Sequence, residues 1–144
     1  MDRDSLTEKE MLFELETLDQ VQAARIKASG LSYYTPNKHQ LKAHKSDANL
    51  ILLCGANRIG KSTFGAAELA YHLTRKYPPW FSQKRRFFKP IKAVVVCLEN
   101  QIIEKVVEPK IMEFLPRDYI DDVRRITGGY LNRIKCKDGS TVDF

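Results

Sequence analysis

The sequence predicts an α/β fold in which helices flank a parallel β-sheet. Two continuous apolar runs, 49–54 and 93–97, have the length and composition of strands that are buried on both faces of such a sheet. A stretch with helical periodicity follows each run, and 144 residues is about the size of one domain. The alternation of strand and helix therefore indicates an α/β domain.

Composition excludes several classes of protein. With 43% hydrophobic and 29% charged residues, the chain has enough apolar side chains for a core and is neither low-complexity nor compositionally disordered. No run approaches the roughly 18 apolar residues of a membrane span, and the acid-rich N-terminus does not read as a secretory signal. Cys54, Cys97 and Cys136 form no C-x-x-C pair, which predicts buried, reduced thiols in a cytosolic protein without a zinc site.

Residues 1–30 are predicted to form an N-terminal helical arm. Ser5 and Glu8 have the spacing of a capping box, and Gly30 could end the helix. The arm holds seven acids and four bases, whereas 31–144 hold 11 acids and 20 bases. The acidic arm could pack on the core or contact a partner, and the basic body suits either nucleic acid or a surface of solvated lysines.

The rest of the chain is predicted to contain a helix, a strand, a helix, a strand, a helix and a hairpin, in that order. Apolar periodicity and the prolines that follow define the helices, and apolar β-branched runs define the strands. Asp138-Gly139 is typical of a hairpin turn. The predicted elements are a helix at 38–46, a strand at 49–54, a helix at 61–76, a strand at 93–97, a helix at 101–115 with a kink at Pro109, and a hairpin of 130–136 and 140–144.

A phosphate-binding motif lies between the first strand and the helix after it. The segment Gly55-Ala56-Asn57-Arg58-Ile59-Gly60-Lys61-Ser62 fits the pattern G-x-x-x-x-G-K-[ST]. Its glycines permit a tight turn and a close approach of backbone N–H groups to phosphate, and the helix dipole favours the anion. We expect Lys61 at the β- and γ-phosphates, Ser62 as a Mg²⁺ ligand and Thr63 as a further phosphate contact. The motif thus predicts a P-loop NTPase-like domain that binds ATP and Mg²⁺.

The catalytic groups beyond Lys61 are less defined by the sequence. Arg58 could reach the γ-phosphate and stabilise transition-state charge, or it could pair with an acid elsewhere. Hydrolysis in this class also needs an acid at the end of a second apolar strand. Glu99 follows such a strand and Asp143 follows a shorter one, but we expect the catalytic acids to lie beyond residue 144.

A segment at 77–92 interleaves aromatic and basic residues. Such a pattern suits contact with a nucleic-acid backbone and its bases, and we favour this interpretation. The alternative is that the aromatic side chains cover the edge of the sheet. The residues concerned are Trp80, Phe81, Lys84, Arg85, Arg86, Phe87, Phe88 and Lys89.

Segments 36–44 and 50–63 resemble the large terminase subunit of tailed bacteriophages, the DNA-packaging ATPase, and 93–98 and 139–144 extend the likeness. The resemblance implies that Gln40 contacts adenine, although it could be a plain polar helix residue, and that Arg58 senses or stabilises the γ-phosphate. It also implies ATP-driven translocation of double-stranded DNA into a procapsid in the cytoplasm of an infected or lysogenic bacterial host. The implied partners are the small terminase subunit and the portal protein, on which the ATPase forms a ring.

This chain departs from the family in length. Family members run to several hundred residues, with a Walker B Asp-Glu pair, a coupling motif and a C-terminal nuclease, and none of these is recognisable here. We therefore interpret 31–144 as a partial P-loop ATPase domain, with Lys61 and Arg58 as its catalytic residues and little hydrolysis expected of it alone. The alternatives are another P-loop DNA-dependent ATPase or helicase, a small-molecule kinase, or a non-catalytic nucleotide-binding remnant.

Overall fold

The computed structural model describes residues 17, 18, 20 and 30–144, so the predicted arm at 1–30 lies almost wholly outside the described residues. The described part is a mixed α/β structure in which helices pack on a four-stranded sheet. The α/β class predicted from the sequence is confirmed at this level.

Two of the predicted helices occur almost where the sequence placed them. The first, α1 (Lys38–Lys45), begins at a capping box in which the Asn37 side chain accepts from the backbone N–H groups of His39 and Gln40, both at 3.0 Å. The second, α2 (Lys61–Thr74), begins directly after Gly60 and ends at Arg75, which adopts a left-handed conformation. A capping box therefore marks the start of α1, and the glycine that precedes Lys61 marks the start of α2 without a side-chain cap.

The third helix, α3, runs through residues 100–114 and contains a widened turn. An α-helical turn, Asn100–Ile102, leads into a π-helical turn, Ile103–Val107, and then into the α-helical segment Glu108–Phe114. Pro109 has no N–H to donate, and its ring would collide with the carbonyl of Lys105 in a regular helix. The predicted interruption at Pro109 is thus a π turn just before the proline.

The sheet is mixed rather than parallel. Its strands are β1 (Lys92–Val94), β2 (Ile120–Arg125), β3 (Leu131–Cys136) and β4 (Thr141–Asp143), in the spatial order β1-β4-β3-β2. β1 and β4 are parallel, β3 and β4 are antiparallel as expected of the predicted hairpin, and β2 adds an antiparallel strand that the sequence did not predict. The predicted hairpin is confirmed as β3 and β4, with Gly139 at a φ of +90° in its turn.

The apolar runs that suggested strands buried on both faces are exposed on one side. Segment 49–54 does not form a strand, and the side chains of Leu50 and Leu52 are 87% and 84% exposed. In the second run β1 covers only three residues, and Val94 is 70% exposed while Val95 packs against the core. The predicted strand at 49–54 and the predicted burial of Cys54, which is exposed, are therefore wrong.

A single cluster of buried side chains joins the helices to the sheet and fixes α2 in place. Ala67 and Leu73 of α2 are fully buried with Ile111 of α3 and Ile134 of β3, and Phe81 from the basic-aromatic segment joins them. The N-terminus of a firmly packed helix therefore carries the phosphate-binding motif. In the part of the chain that the structure describes, no helix is long and apolar enough to cross a membrane.

Candidate functional site

The motif residues form a tight loop that enters α2. Arg58 and Gly60 have positive φ angles, +66° and +89°, and Ile59 between them does not; such an alternation turns backbone N–H groups toward one side of a loop. A Cβ atom at Gly60 would lie 2.6 Å from Nε2 of Gln40, and one at Gly55 would collide with the side chain of Ile59. Glycine is therefore required at position 60 by both conformation and space.

The ammonium group of Lys61 closes this loop. Its Nζ donates hydrogen bonds to the backbone carbonyl oxygens of Gly55, at 2.8 Å, and Ala56, at 2.7 Å. These contacts hold the positive charge at the loop and join its two ends. The spacing of the motif, with lysine six residues after the first glycine, is thus matched by the reach of one lysine side chain.

The start of α2 leaves backbone donors free beside Lys61. The first hydrogen bond of the helix runs from the N–H of Phe64 to the carbonyl of Gly60, at 2.9 Å. The N–H groups of residues 61–63 consequently have no acceptor within the helix, and Gly60 offers no side-chain cap. Because the positive end of the helix dipole is also here, the geometry favours an anion.

A cleft of about 410 Å³ lies between the loop and α3. One wall is formed by motif residues, including Arg58, Lys61 and Ser62, and the other by α3 residues, including Lys105 and Lys110. In the described part of the chain no acidic side chain lines this cleft. Its volume lies in the range typical of small-molecule sites, and its lining is strongly cationic.

The structure brings together most of the residues that the sequence assigned to the site. Asn57, Arg58, Gly60, Lys61, Ser62 and Thr63 all line the cleft. The others contribute in different ways: Gly55 and Ala56 through their carbonyl groups, and Ile59 by lying over Gly55. The roles in phosphate binding and Mg²⁺ ligation stay predictions that this placement permits.

Gln40 is buried against the loop and uses both ends of its amide. Its Oε1 accepts from the N–H of Asn37 at 2.8 Å, which completes the capping box of α1. Its Nε2 donates to the carbonyl of Gly60 at 3.0 Å, which ties α1 to the motif. Gln40 thus positions the loop, and its contact with adenine stays a prediction.

Neither acid considered as a magnesium-orienting group lines the cleft. Glu99 lies just before α3 and is exposed. Asp143 is paired with Arg133, whose guanidinium lowers the pKa of the aspartate. Among the described residues there is also no group of three or more His, Cys, Asp or Glu side chains placed to hold a metal ion.

Sequence reasoning missed Lys105 and Lys110. In a regular α-helix, residues five apart point in directions about 140° apart. The π turn inserts one extra residue between these two, which brings both to the cleft. Pro109 is the signal that could have revealed this, because a proline within a helix forces such a distortion.

A buried ionic cluster lies behind the loop. Glu68 of α2 pairs with His44 of α1 and with Arg85, and its Oε1 lies 3.4 Å from Nε2 of His72. Burial lowers the pKa of His44 to about 4, with repulsion from Arg85 and His72 adding to the effect, and burial lowers the pKa of His72 to about 4. Neutral His44 can donate from Nδ1 to Glu68 and accept at Nε2 from the Tyr34 hydroxyl, at 3.0 Å. The cluster joins α1, α2 and the basic-aromatic segment around one carboxylate.

The basic-aromatic segment at 77–92 serves partly as core. Phe81 is buried, Arg85 bonds to Glu68, and Arg86 donates to backbone carbonyl groups of its own segment, among them that of Pro78 at 2.9 Å. Phe81 is thus part of the core and packs against Tyr71 of α2, rather than lying on the surface for a nucleic acid. Phe88 and Lys89 are exposed, and so is Lys84, whose ammonium pairs at the surface with Asp47 at 3.2 Å.

No family model, curated protein or solved structure matches this chain.

Proposed function

We propose that residues 55–63 bind the phosphates of a nucleotide with Mg²⁺, and that the chain is the ATP-binding part of a DNA-packaging motor of the terminase large-subunit type. The observation that carries the nucleotide site is the position of Lys61. Its ammonium group bridges the carbonyls of Gly55 and Ala56 at the start of α2, beside free backbone donors. A loop of this kind is suited to an anion with several negative oxygens.

Each motif residue has a distinct part in this proposal. The N–H groups of residues 61–63 and the Lys61 ammonium bind phosphate oxygens, and Gln40 holds the loop to α1. Ser62 lines the cleft with its hydroxyl, which would ligate Mg²⁺. Magnesium supplies charge neutralisation at the phosphates when it is bound. Arg58 lines the same cleft and adds a further cation for the γ-phosphate.

The packaging role rests on the resemblance of segments 36–44 and 50–63 to the terminase family. In the intact motor, ATP hydrolysis would drive double-stranded DNA into a procapsid, with the small terminase subunit and the portal protein as partners and the bacterial cytoplasm as the place. The exposed residues Lys84, Phe88 and Lys89 offer a surface for DNA. Another DNA-dependent P-loop ATPase would use the same nucleotide site.

Calorimetric titration with ATP and Mg²⁺ tests the nucleotide site. Lys61→Ala should weaken ATP binding by about 10- to 100-fold, because the variant loses a charge-assisted contact to phosphate. The matched control is Lys76→Ala, which removes an exposed lysine just beyond the opposite end of α2 and should bind ATP like the unmodified chain. Equal ATP affinity in Lys61→Ala and Lys76→Ala, with both folded by circular dichroism, would refute the site.

A second measurement separates a motor from a simple binder. ATP turnover is followed with and without duplex DNA at one salt concentration. Little turnover is expected of this chain alone, so the readout is the change on adding DNA: turnover that rises with DNA supports a DNA-dependent motor, whereas tight ATP binding with turnover unchanged by DNA favours a nucleotide-binding remnant. Binding is measured first because it does not depend on the catalytic acids.

A further inference from the structure

The wall of the cleft that faces the motif carries a lysine with no evident structural task. Lys105 lies on the π turn of α3, is exposed, and lines the cleft with Lys61 and Ser62. Within the described residues the ammonium group of Lys105 forms no hydrogen bond or ion pair. We propose that Lys105 is a phosphate-binding residue that contacts the terminal phosphates of the nucleotide from the side opposite Lys61. This inference rests on the nucleotide site proposed above.

The sequence places Lys105 there through Pro109. Proline cannot donate to the carbonyl four residues earlier, which belongs to Lys105, and its ring crowds that carbonyl. The helix responds with the turn Ile103–Val107, in which the N–H of Glu108 bonds to the carbonyl of Ile103. One extra residue in this turn changes the angle between the residues before it and those after it by about 100° relative to a regular helix, and Lys105 lies within the turn. The π turn therefore brings Lys105 to the same cleft as Lys110.

Lys105 is one of two cations at the cleft whose charge has no bonded partner among the described residues. Four cations line it, but Lys110 is paired with Glu113 at 2.8 Å and Lys61 is held by two carbonyl groups. Arg58 and Lys105 carry the charges left without a partner among the described residues. Like charges that converge on a cleft without acids repel one another until an anion enters. A polyphosphate has the charge density to bind both walls at once.

The competing ligand for such a lysine is the backbone of duplex DNA. A nucleotide is favoured because Lys105 lines the same cleft of about 410 Å³ as Lys61, Ser62 and Thr63, whose backbone N–H groups have no acceptor within α2. A ligand of nucleotide size can fill this volume and contact both walls. Duplex DNA would contact exposed lysines without requiring the facing amide donors.

The test compares three ligands, ATP, AMP and inorganic tripolyphosphate, in the unmodified chain and in Lys105→Ala. We expect Lys105→Ala to weaken ATP and tripolyphosphate by about 5- to 10-fold, as for loss of one exposed charged contact, and to change AMP affinity by less than about twofold. Lys105→Arg should retain most of the affinity because it keeps the charge. The matched control is Lys76→Ala, at an exposed lysine remote from the cleft.

A second variant tests the placement rather than the charge. Pro109→Ala permits a regular helix, which would rotate Lys105 away from the cleft while keeping the lysine. We expect its ATP affinity to fall by a factor similar to that in Lys105→Ala, with helix content unchanged by circular dichroism. Full ATP affinity in Pro109→Ala, with the π turn lost, would overturn the placement argument.

The outcomes distinguish this inference from the proposed function. If Lys61→Ala loses ATP affinity and Lys105→Ala does not, Lys105 has no phosphate role and the nucleotide site stands. If neither variant differs from Lys76→Ala, the proposed function itself fails. Equal losses for ATP and AMP, or a loss confined to duplex DNA, would also overturn the assignment of Lys105 to the terminal phosphates.

Discussion

Lowering the pH from 8 to 5 should destabilise this protein by several kcal/mol, because two histidines bind protons in the unfolded chain but stay neutral while buried in the fold. His44 is fully buried and His72 is largely so. Both have a pKa of about 4 in the folded chain, against an ordinary value of 6.5. The cause is the same for both, since burial removes water from the charged imidazolium, and for His44 the nearby guanidinium of Arg85 adds repulsion.

The sign and the size follow from proton linkage. A histidine whose pKa is lowered in the fold is protonated first in the unfolded chain as the pH falls below 6.5. Its contribution to stability is complete above that value and is lost as the pH falls toward 4. At pH 5 the loss is about 2 kcal/mol for each histidine, or about 4 kcal/mol for the pair. Such a loss is a large share of the roughly 5–15 kcal/mol that stabilises a typical domain.

Urea unfolding at pH 8, 7, 6 and 5 measures this effect. His72→Asn should reduce the slope of the unfolding free energy against pH by about one proton. The control is His39→Asn, at an exposed histidine of α1, which should leave the slope unchanged. Aspartates such as Asp138, whose pKa is lowered below 3.8, lose their contribution at still lower pH and do not overlap this window.

A flat or rising stability between pH 8 and pH 5 would refute this reasoning. It would show that the carboxylate of Glu68 keeps His44 protonated in the fold, despite the competing pairing of Glu68 with Arg85. The folded pKa of His44 would then be raised rather than lowered. Proton NMR of the histidine rings would identify which of the two behaves in this way.

The remaining predictions concern the loop and the DNA surface. Gly60→Ala should lower the free energy of unfolding by about 1–2 kcal/mol and weaken ATP binding, because position 60 has a φ of +89° and no space for a methyl group. The control is Gly65→Ala within α2, where the added methyl group would meet no atom within 4 Å, and this variant should raise the free energy of unfolding by about 0.5–1 kcal/mol. Equal urea midpoints for the two variants would contradict the loop geometry. Replacing Lys84 and Lys89 together by alanine should reduce the magnitude of the slope of log affinity for duplex DNA against log salt concentration by about 2. The control is Lys137→Ala, at another exposed lysine, which should leave the slope unchanged. An equal effect of Lys137→Ala would indicate that DNA binds without preference for this surface.

The sequence predicted those elements whose signals are local. The motif ending at Ser62 was predicted to begin a helix, and the helix predicted at 38–46 begins in the structure at a capping box on Asn37; both starts are defined within a few residues, without reference to the rest of the fold. The hairpin turn at Gly139 is equally local, since it needs a residue that adopts a positive φ. Such features depend on short-range sterics and hydrogen bonds, and the structure confirms them.

The predictions that failed depend on distant partners. Leu50 and Leu52 are apolar, but a strand also needs a neighbouring strand to bond to, and their segment does not pair with the sheet. β2 was not predicted, because four of its six residues are charged and it is a strand only through its pairing with β3. Lys105 was missed for a related reason, because its position depends on the packing of α3 across the motif.

The positive charge of the chain becomes informative only when each cation is considered with its partners. Arg85 belongs to the segment that suggested nucleic-acid contact, yet it pairs with Glu68 in a largely buried position. Removing one partner from a buried ion pair costs about 3–5 kcal/mol, so Arg85 cannot turn to a phosphate without destabilising the cluster. Lys105 and Arg58 have no such bond to give up among the described residues, and both line the cleft beside Lys61. Interior pairing therefore removes Arg85 from the set of cations that can bind a ligand, whereas Lys105 and Arg58 stay in that set and line the cleft at the phosphate-binding loop.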